Sequence, residues 1–97
     1  MLSQEQKTSL RAGQLAIRAI NHKLRHVIMS TILAEKNRIT VTDIYVRLRL
    51  EQSVASHHLA ILRKAGAMTT KRDGKFIYYS VNKTRVNEII AAAKSLQ

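Results

Sequence analysis

Ninety-seven residues suffice for one domain and not for two, and so small a domain buries well under roughly three quarters of its unfolded surface, which leaves part of its stability to a partner subunit. Lys and Arg number 17 against 6 acidic residues, and the field of a net charge of +11 favours a polyanionic partner. Cysteine is absent, which excludes disulfides, thiolate metal sites and thiol redox sensing.

From Ser3 to about Ile20 the apolar positions Leu10, Ala16, Ile17 and Ile20 recur at helical spacing, with Lys7, Arg11 and Arg18 on other faces. Asn21 is expected to cap a second helix, in which Leu24, Val27, Ile28 and Ile32 form a stripe running to about Glu35. Lys36, Asn37 and Arg38 break that pattern. A short β-prone piece, Ile39 to Val41, leads to Thr42, the expected N-cap of a short third helix with Ile44 and Leu48 one turn apart. The fourth helix is expected to open at Ser53 and to place Ala55, His58, Leu59 and Leu62 on one face, leaving Val54, Ser56, His57 and Ala60 or Ile61 elsewhere. Gly66 suits its end. The segments AMTTKR and KFIYYSV, joined by Asp73 and Gly74, then read as a basic β-hairpin. Asn82 or Thr84 caps a last helix with Val86, Ile89, Ile90, Ala93 and Leu96 on one stripe.

Two short helices across a tight turn, followed by a hairpin, give the pattern of a winged helix-turn-helix: one mainly α domain over residues 1–97, in the order α-α-(β)-α-α-β-β-α. In that arrangement the second helix of the pair enters the DNA major groove and its first turn reaches base edges. The residues there are Gln52, Ser53, Val54, Ser56 and His57, small or polar groups with nothing bulky to block entry. On the hairpin, Lys71, Arg72 and Lys75 flank Asp73 and Gly74 and would meet phosphates or the adjacent minor groove.

The run QSVASHHLAILRKAGAMTTKRDGKFIYYSV resembles the recognition helix and wing of the ArsR (arsenical-resistance repressor) family, with its Ser-x-x-Ser-x-His-Leu-x-x-Leu-Arg-x-Ala-Gly core and Arg-Asp-Gly…Tyr-Tyr-Ser wing. Upstream, AINHKLRHVIM resembles the family's Ala-Leu-x-His-Pro-x-Arg-x-x-Ile-Leu segment and VTDIYVRLRL its third helix, so the likeness covers about Ala16 to Val81. It implies a homodimer held by the terminal helices, residues 3–20 and 83–97, that binds double-stranded DNA of dyad symmetry, most often as a repressor. The apolar stripes of both terminal helices support pairing independently, since so small a core has little room to cover them.

The departures are also informative. Where many members open the third helix with Cys-Val-Cys, this chain has Thr40, Val41 and Thr42; where others place ligands on the last helix, it has Asn82, Asn87 and Glu88. Neither set supplies tetrahedral ligands, so no metal and no cofactor is expected. Lys23 replaces a usual proline, and Arg49 stands where glycine often sits in the turn, at the risk of strain if its φ is positive. His58 falls on the buried stripe and reads as a hydrogen-bonded structural residue, whereas His57 points to the DNA side. His22 and His26 have the spacing of a two-histidine site but lack a third ligand. No base or oxyanion partner accompanies Asp43 or Ser56, so the chain does not read as an enzyme.

The competing readings are a winged-helix interaction module that sequesters another regulator and an RNA binder; against the latter stands the shortage of exposed rings for base stacking. No run approaches the roughly 18 apolar residues of a membrane span, and the polar start MLSQEQKTSLRAG lacks the apolar core of a signal, so the expectation is a cytoplasmic protein. The sequence selects no inducer; a small organic molecule, a partner protein, pH or a simple change in concentration all fit.

Overall fold

The computed structural model describes residues 3–95, with side chains throughout except for residues 8–10. The elements are α1 (Gln4–Ile20), α2 (Lys23–Ala34), β1 (Ile39–Thr40), α3 (Val41–Leu48), α4 (Gln52–Lys64), β2 (Met68–Asp73), β3 (Phe76–Val81) and α5 (Lys83–Ser95). The order is that of a winged helix-turn-helix, mostly helical with a small antiparallel sheet, as the sequence pattern implies. The sheet has three strands in the order β1-β3-β2, so the short β-prone piece joins the hairpin instead of standing alone.

The core is aliphatic. Ile28 and Ile32 from α2, Ile44 from α3 and Leu59 and Leu62 from α4 are almost completely buried, with Ile39, Met68 and Val81 closing the base of the sheet over them. The buried stripe of α2 is rotated from the expected one: Arg25, Ile28, Met29 and Ile32 face inward, while Val27 is exposed. Sequence periodicity favours apolar residues for the inner face, and here a charged side chain takes one of those places. In α5, Ile89 is buried and Ile90 exposed. Leu96 and the side chain of Leu10, both assigned to apolar stripes, lie outside the described residues.

The helix starts differ from those the capping preferences suggest. Ser3 caps α1 in a full capping box, with Gln6 N–H donating to its Oγ (3.1 Å) and Ser3 N–H to Gln6 Oε1 (2.8 Å). Asn21 ends α1 instead of opening α2; the cap of α2 is His22, whose Nδ1 accepts from Leu24 N–H at 3.1 Å. Thr40, not Thr42, caps α3, its Oγ1 accepting from Asp43 N–H at 3.3 Å. The cap of α4 is Glu51, without a side-chain bond, so Ser53 lies inside the first turn with its hydroxyl not spent on capping. Asn82 closes the remaining alternative, accepting from Arg85 N–H at 3.1 Å at the start of α5.

Two turns depend on left-handed backbone. Arg49 does adopt it (φ 53, ψ 43), and Leu50 N–H then returns to Tyr45 O at 2.9 Å, which compresses the connection between α3 and α4 to three residues. After α2, Lys36 and Asn37 both have φ 58. The Asn37 side chain stands in for a missing strand residue: Val81 N–H donates to its Oδ1 (2.7 Å) and its Nδ2 donates to Val81 O (3.0 Å), continuing the β1–β3 register in which Ile39 faces Tyr79. The hairpin loop is Gly74 and Lys75, not Asp73 and Gly74, because Asp73 pairs with Phe76. Gly74 takes φ +64 there, the sign that a two-residue hairpin loop needs to match the strand twist.

Two stability outcomes follow in denaturant titration. Asn37→Ala should lose roughly 2 kcal/mol, because it strands two backbone groups of the buried Val81. Arg49→Gly should gain roughly 0.5–1 kcal/mol, since relief of the left-handed penalty outweighs the added freedom of the unfolded chain.

Candidate nucleic-acid interface

The helix proposed to read DNA is held from behind. Ala55, Leu59 and Leu62 are almost fully buried, so one ridge of α4 is fixed in the core, and Gln52, Ser53, Val54, Ser56 and His57 are all exposed on its other sides. The starting turn carries no side-chain capping bond, and Ser53 is exposed. A helix about 10–12 Å across with small outward groups matches a major groove about 12 Å wide.

The wing projects from the core. Its base, Met68 and Val81, is buried, whereas Thr69 to Ile77 are exposed. Lys71, Arg72 and Lys75 are all solvent-facing but do not form one cluster. Cross-strand pairs alternate between faces, so Lys71, opposite Tyr78, and Arg72, opposite Ile77, point to opposite sides of the ribbon, with Lys75 in the loop at its end. Arg72 Nε also donates to Gly74 O at 3.2 Å, which turns its guanidinium back toward the loop.

Arg38, which sequence reading took only as a pattern breaker, braces this wing. It pairs with Asp73 at 2.7 Å and lies 4.0 Å over the ring of Tyr78. Tyr78 is two residues from Asp73's partner Phe76 on the same face, a relation visible only once the strands are in register. A second exposed ion pair, Arg47 to Glu35, ties α3 to α2 and holds the Glu35 carboxyl below its usual range, mainly through the hydrogen bond from Arg47. With Glu88 beside Arg85 at 3.5 Å, half of the six acidic residues are paired with arginine, which leaves Lys71, Lys75 and the outer face of α4 without a counter-charge from those acids.

The histidines divide by role. His58 Nδ1 accepts from Arg25 Nη1 at 3.1 Å, the structural hydrogen bond expected of it. His57 is exposed, its ring edge-on to His58 with centroids 5.5 Å apart. His22 and His26 do not converge: His22 caps α2 with its ring 5.1 Å from that of His58, while His26 lines a groove against α5. Among the described residues, no group of three or more His, Asp or Glu side chains is placed to hold a metal.

Arg25 was also missed by sequence reading as a structural residue. The signal was a cation at the i−3 and i−7 positions from Ile28 and Ile32, which the helix period places on the buried face.

Comparison with known proteins is in line with this geometry. Residues 27–67, from α2 through α4, match the profile described as "Bacterial regulatory protein, arsR family". Over 89 residues the chain is 32% identical to the transcriptional activator HlyU of Vibrio cholerae, spanning 92% of this chain and 80% of that protein. The chain belongs to the ArsR family. It is also similar to the transcriptional repressor SdpR of Bacillus subtilis, at 34% identity across 75% of this chain and 79% of the relative. Among solved structures, that of NolR from Sinorhizobium fredii superposes with a TM-score of 0.75 at 27% identity, covering 99% of this chain and 94% of that one. As an ArsR-family protein the chain is a DNA-binding transcription regulator and not an enzyme. No helix among its described residues is long and apolar enough to cross a membrane.

If Arg38 braces the wing, Arg38→Ala should loosen it without unfolding the domain. The expected global loss is about 1 kcal/mol or less, as for exposed ion pairs and cation–π contacts. Backbone 15N order parameters should fall at residues 73–78 and stay unchanged in α4.

Proposed function

We propose that this regulator is a cytoplasmic homodimer that binds an operator of dyad symmetry and represses transcription, with Gln52, Ser53, Val54, Ser56 and His57 at base edges and Lys71, Arg72 and Lys75 on the backbone. The observation that carries the reading is α4 itself: a helix fixed by one buried ridge whose small, polar first turns are exposed beside a cationic wing. Phosphate contacts would orient the chain and edge contacts would select the site.

The homodimer is supported by what the terminal helices leave uncovered. Among its described side chains, α1 buries none before Ala16, yet Leu15 is 55% exposed and Ile90 on α5 is 40% exposed. Ile17, Ile20, Met29, Val86 and Ile90 line an apolar groove of about 560 Å³ between α1, α2 and α5. A second copy laid across α1 and α5 would cover these faces and set two recognition helices about 34 Å apart, one turn of DNA. Relatives named as an activator and as a repressor both occur, and repression is preferred because a dimer seated on its operator needs only a DNA-reading surface to block transcription.

A different reading, in which the winged helix sequesters another regulator, has its own support. Phe76 and Ile77 are each 49% exposed on the wing and Val46 is 63% exposed on α3, apolar groups that DNA backbone contact does not need.

Selection of bound genomic fragments with the purified protein separates the two. A dyad-symmetric sequence should be enriched, with an affinity that falls about three decades from 50 to 200 mM salt if six phosphates are contacted. Changing Ser56 and His57 should relax base preference within a half-site, while changing Arg72 and Lys75 should weaken all sequences alike. Enrichment of no shared sequence, or a flat salt response, would leave the interaction module as the better account.

A further inference from the structure

Arg25 is the buried charge of the described core, only 8% exposed, and its guanidinium ties its own helix α2 to two others, α1 and α4. Nε donates to Ala19 O and Nη2 to Arg18 O at 3.0 Å, both in the last turn of α1, and Nη1 donates to His58 Nδ1 at 3.1 Å on α4. The first two bonds satisfy carbonyls that a helix end leaves open and set a cation against the negative end of α1. The third fixes the state of His58. An arginine has no acceptor, so Nδ1 must carry a lone pair and the ring proton must reside on Nε2.

We propose that Arg25 is a positioning residue for DNA reading: it straps α4 to the end of α1, so that the reading helix keeps its angle to the dimer-forming helix only while His58 is neutral. The proposal rests on the DNA-reading function given above. In a two-fold dimer any tilt of α4 against α1 is repeated in the partner, so the separation of the two reading helices responds to the angle that this strap sets.

Protonating Nδ1 would turn donor against donor and cation against cation. The charged and titratable groups whose fields reach His58 are Arg25 and His22 from α2 and His57 from its own helix; α1 enters through the carbonyls of Arg18 and Ala19, which hold Arg25. Burial first, then these three neighbours, hold His58 below the usual histidine range. The sign follows from the unfolded chain binding this proton more readily than the folded one: the strap is intact at neutral pH, and stability falls as pH drops below about 6.5 toward the lowered folded value, then levels off.

Three variants distinguish a strap from a merely packed side chain. His58→Asn keeps an acceptor where Nδ1 stood and cannot be protonated in this range; His58→Gln carries its amide out to the Nε2 position, away from Arg25; Arg25→Met removes the donor. The measurement is the ratio of affinities for the selected operator and for random DNA of equal length, by fluorescence anisotropy from about pH 7.5 downward until the imidazole 15N signals of His58 show it protonated. The random-DNA arm absorbs any change in sequence-independent attraction to phosphate on acidification. Wild type should lose about tenfold in that ratio on acidification, with His58→Gln and Arg25→Met already that low at the higher pH and His58→Asn high throughout. In 15N-resolved imidazole spectra of the wild type, which need no variant to fold, His58 Nδ1 should show the unprotonated shift at neutral pH. A ratio independent of pH in wild type, a protonated Nδ1, or equal behaviour of the Asn and Gln variants would overturn the strap while leaving DNA reading intact. Absence of any operator preference in wild type at the higher pH would overturn both.

Discussion

The exposed face of α4, on which the proposed DNA reading rests, depends on how that helix is seated. Leu59 and Leu62 share one buried cluster with Ile28, Ile32 and Ile44, and each of these leucines contributes roughly 1.5–3 kcal/mol that would be lost if the helix rolled. Rolling is therefore resisted by close packing, and the exposed sector is fixed to within what rotamers allow. The same constraint explains why the outward residues of the first turn of α4 are small or polar: apart from the buried Ala55 they have no packing duty, and the cap, Glu51, makes no side-chain bond there.

Around that apolar seat the chain uses polar side chains where a larger domain would use backbone. Asn37 supplies a strand edge with one amide, Arg38 joins the loop before β1 to the wing through an ion pair and a ring contact, and Arg25 ends α1 and reaches α4. Each replaces several residues of regular structure. In 97 residues this economy has a consequence for the terminal helices, which pack on each other yet keep Leu15 and Ile90 in solvent. Among the described residues no further element covers them.

Charge is distributed to suit an anionic partner. Glu35, Asp73 and Glu88 are each held by an arginine, so half of the acidic residues are neutralised locally while lysines of the wing remain open to solvent. At Asp73 the pairing with Arg38 offsets the negative charge of the carboxylate at the wing.

Helix order, the hairpin and the outward set on α4 were legible in the chain alone, because periods of 3.6 and 2 and an Asp-Gly pair are local signals, and the exposed residues of α4 follow once its apolar ridge is known. Its lack of cysteine and its excess of cations were equally plain. Only the tertiary structure decided the rest. Where Asn21, Thr42 and Ser53 were natural caps, the actual caps are His22, Thr40 and Glu51, since each start is set by where the preceding turn delivers the chain and not by the best capping residue within reach. The burial of Arg25 was not assigned from the chain alone, because its partners are two carbonyls and an imidazole, 33 residues away in the case of His58, which no local pattern brings together. The opposite facing of Lys71 and Arg72 likewise required strand register, in which one residue of offset exchanges the two faces of the ribbon.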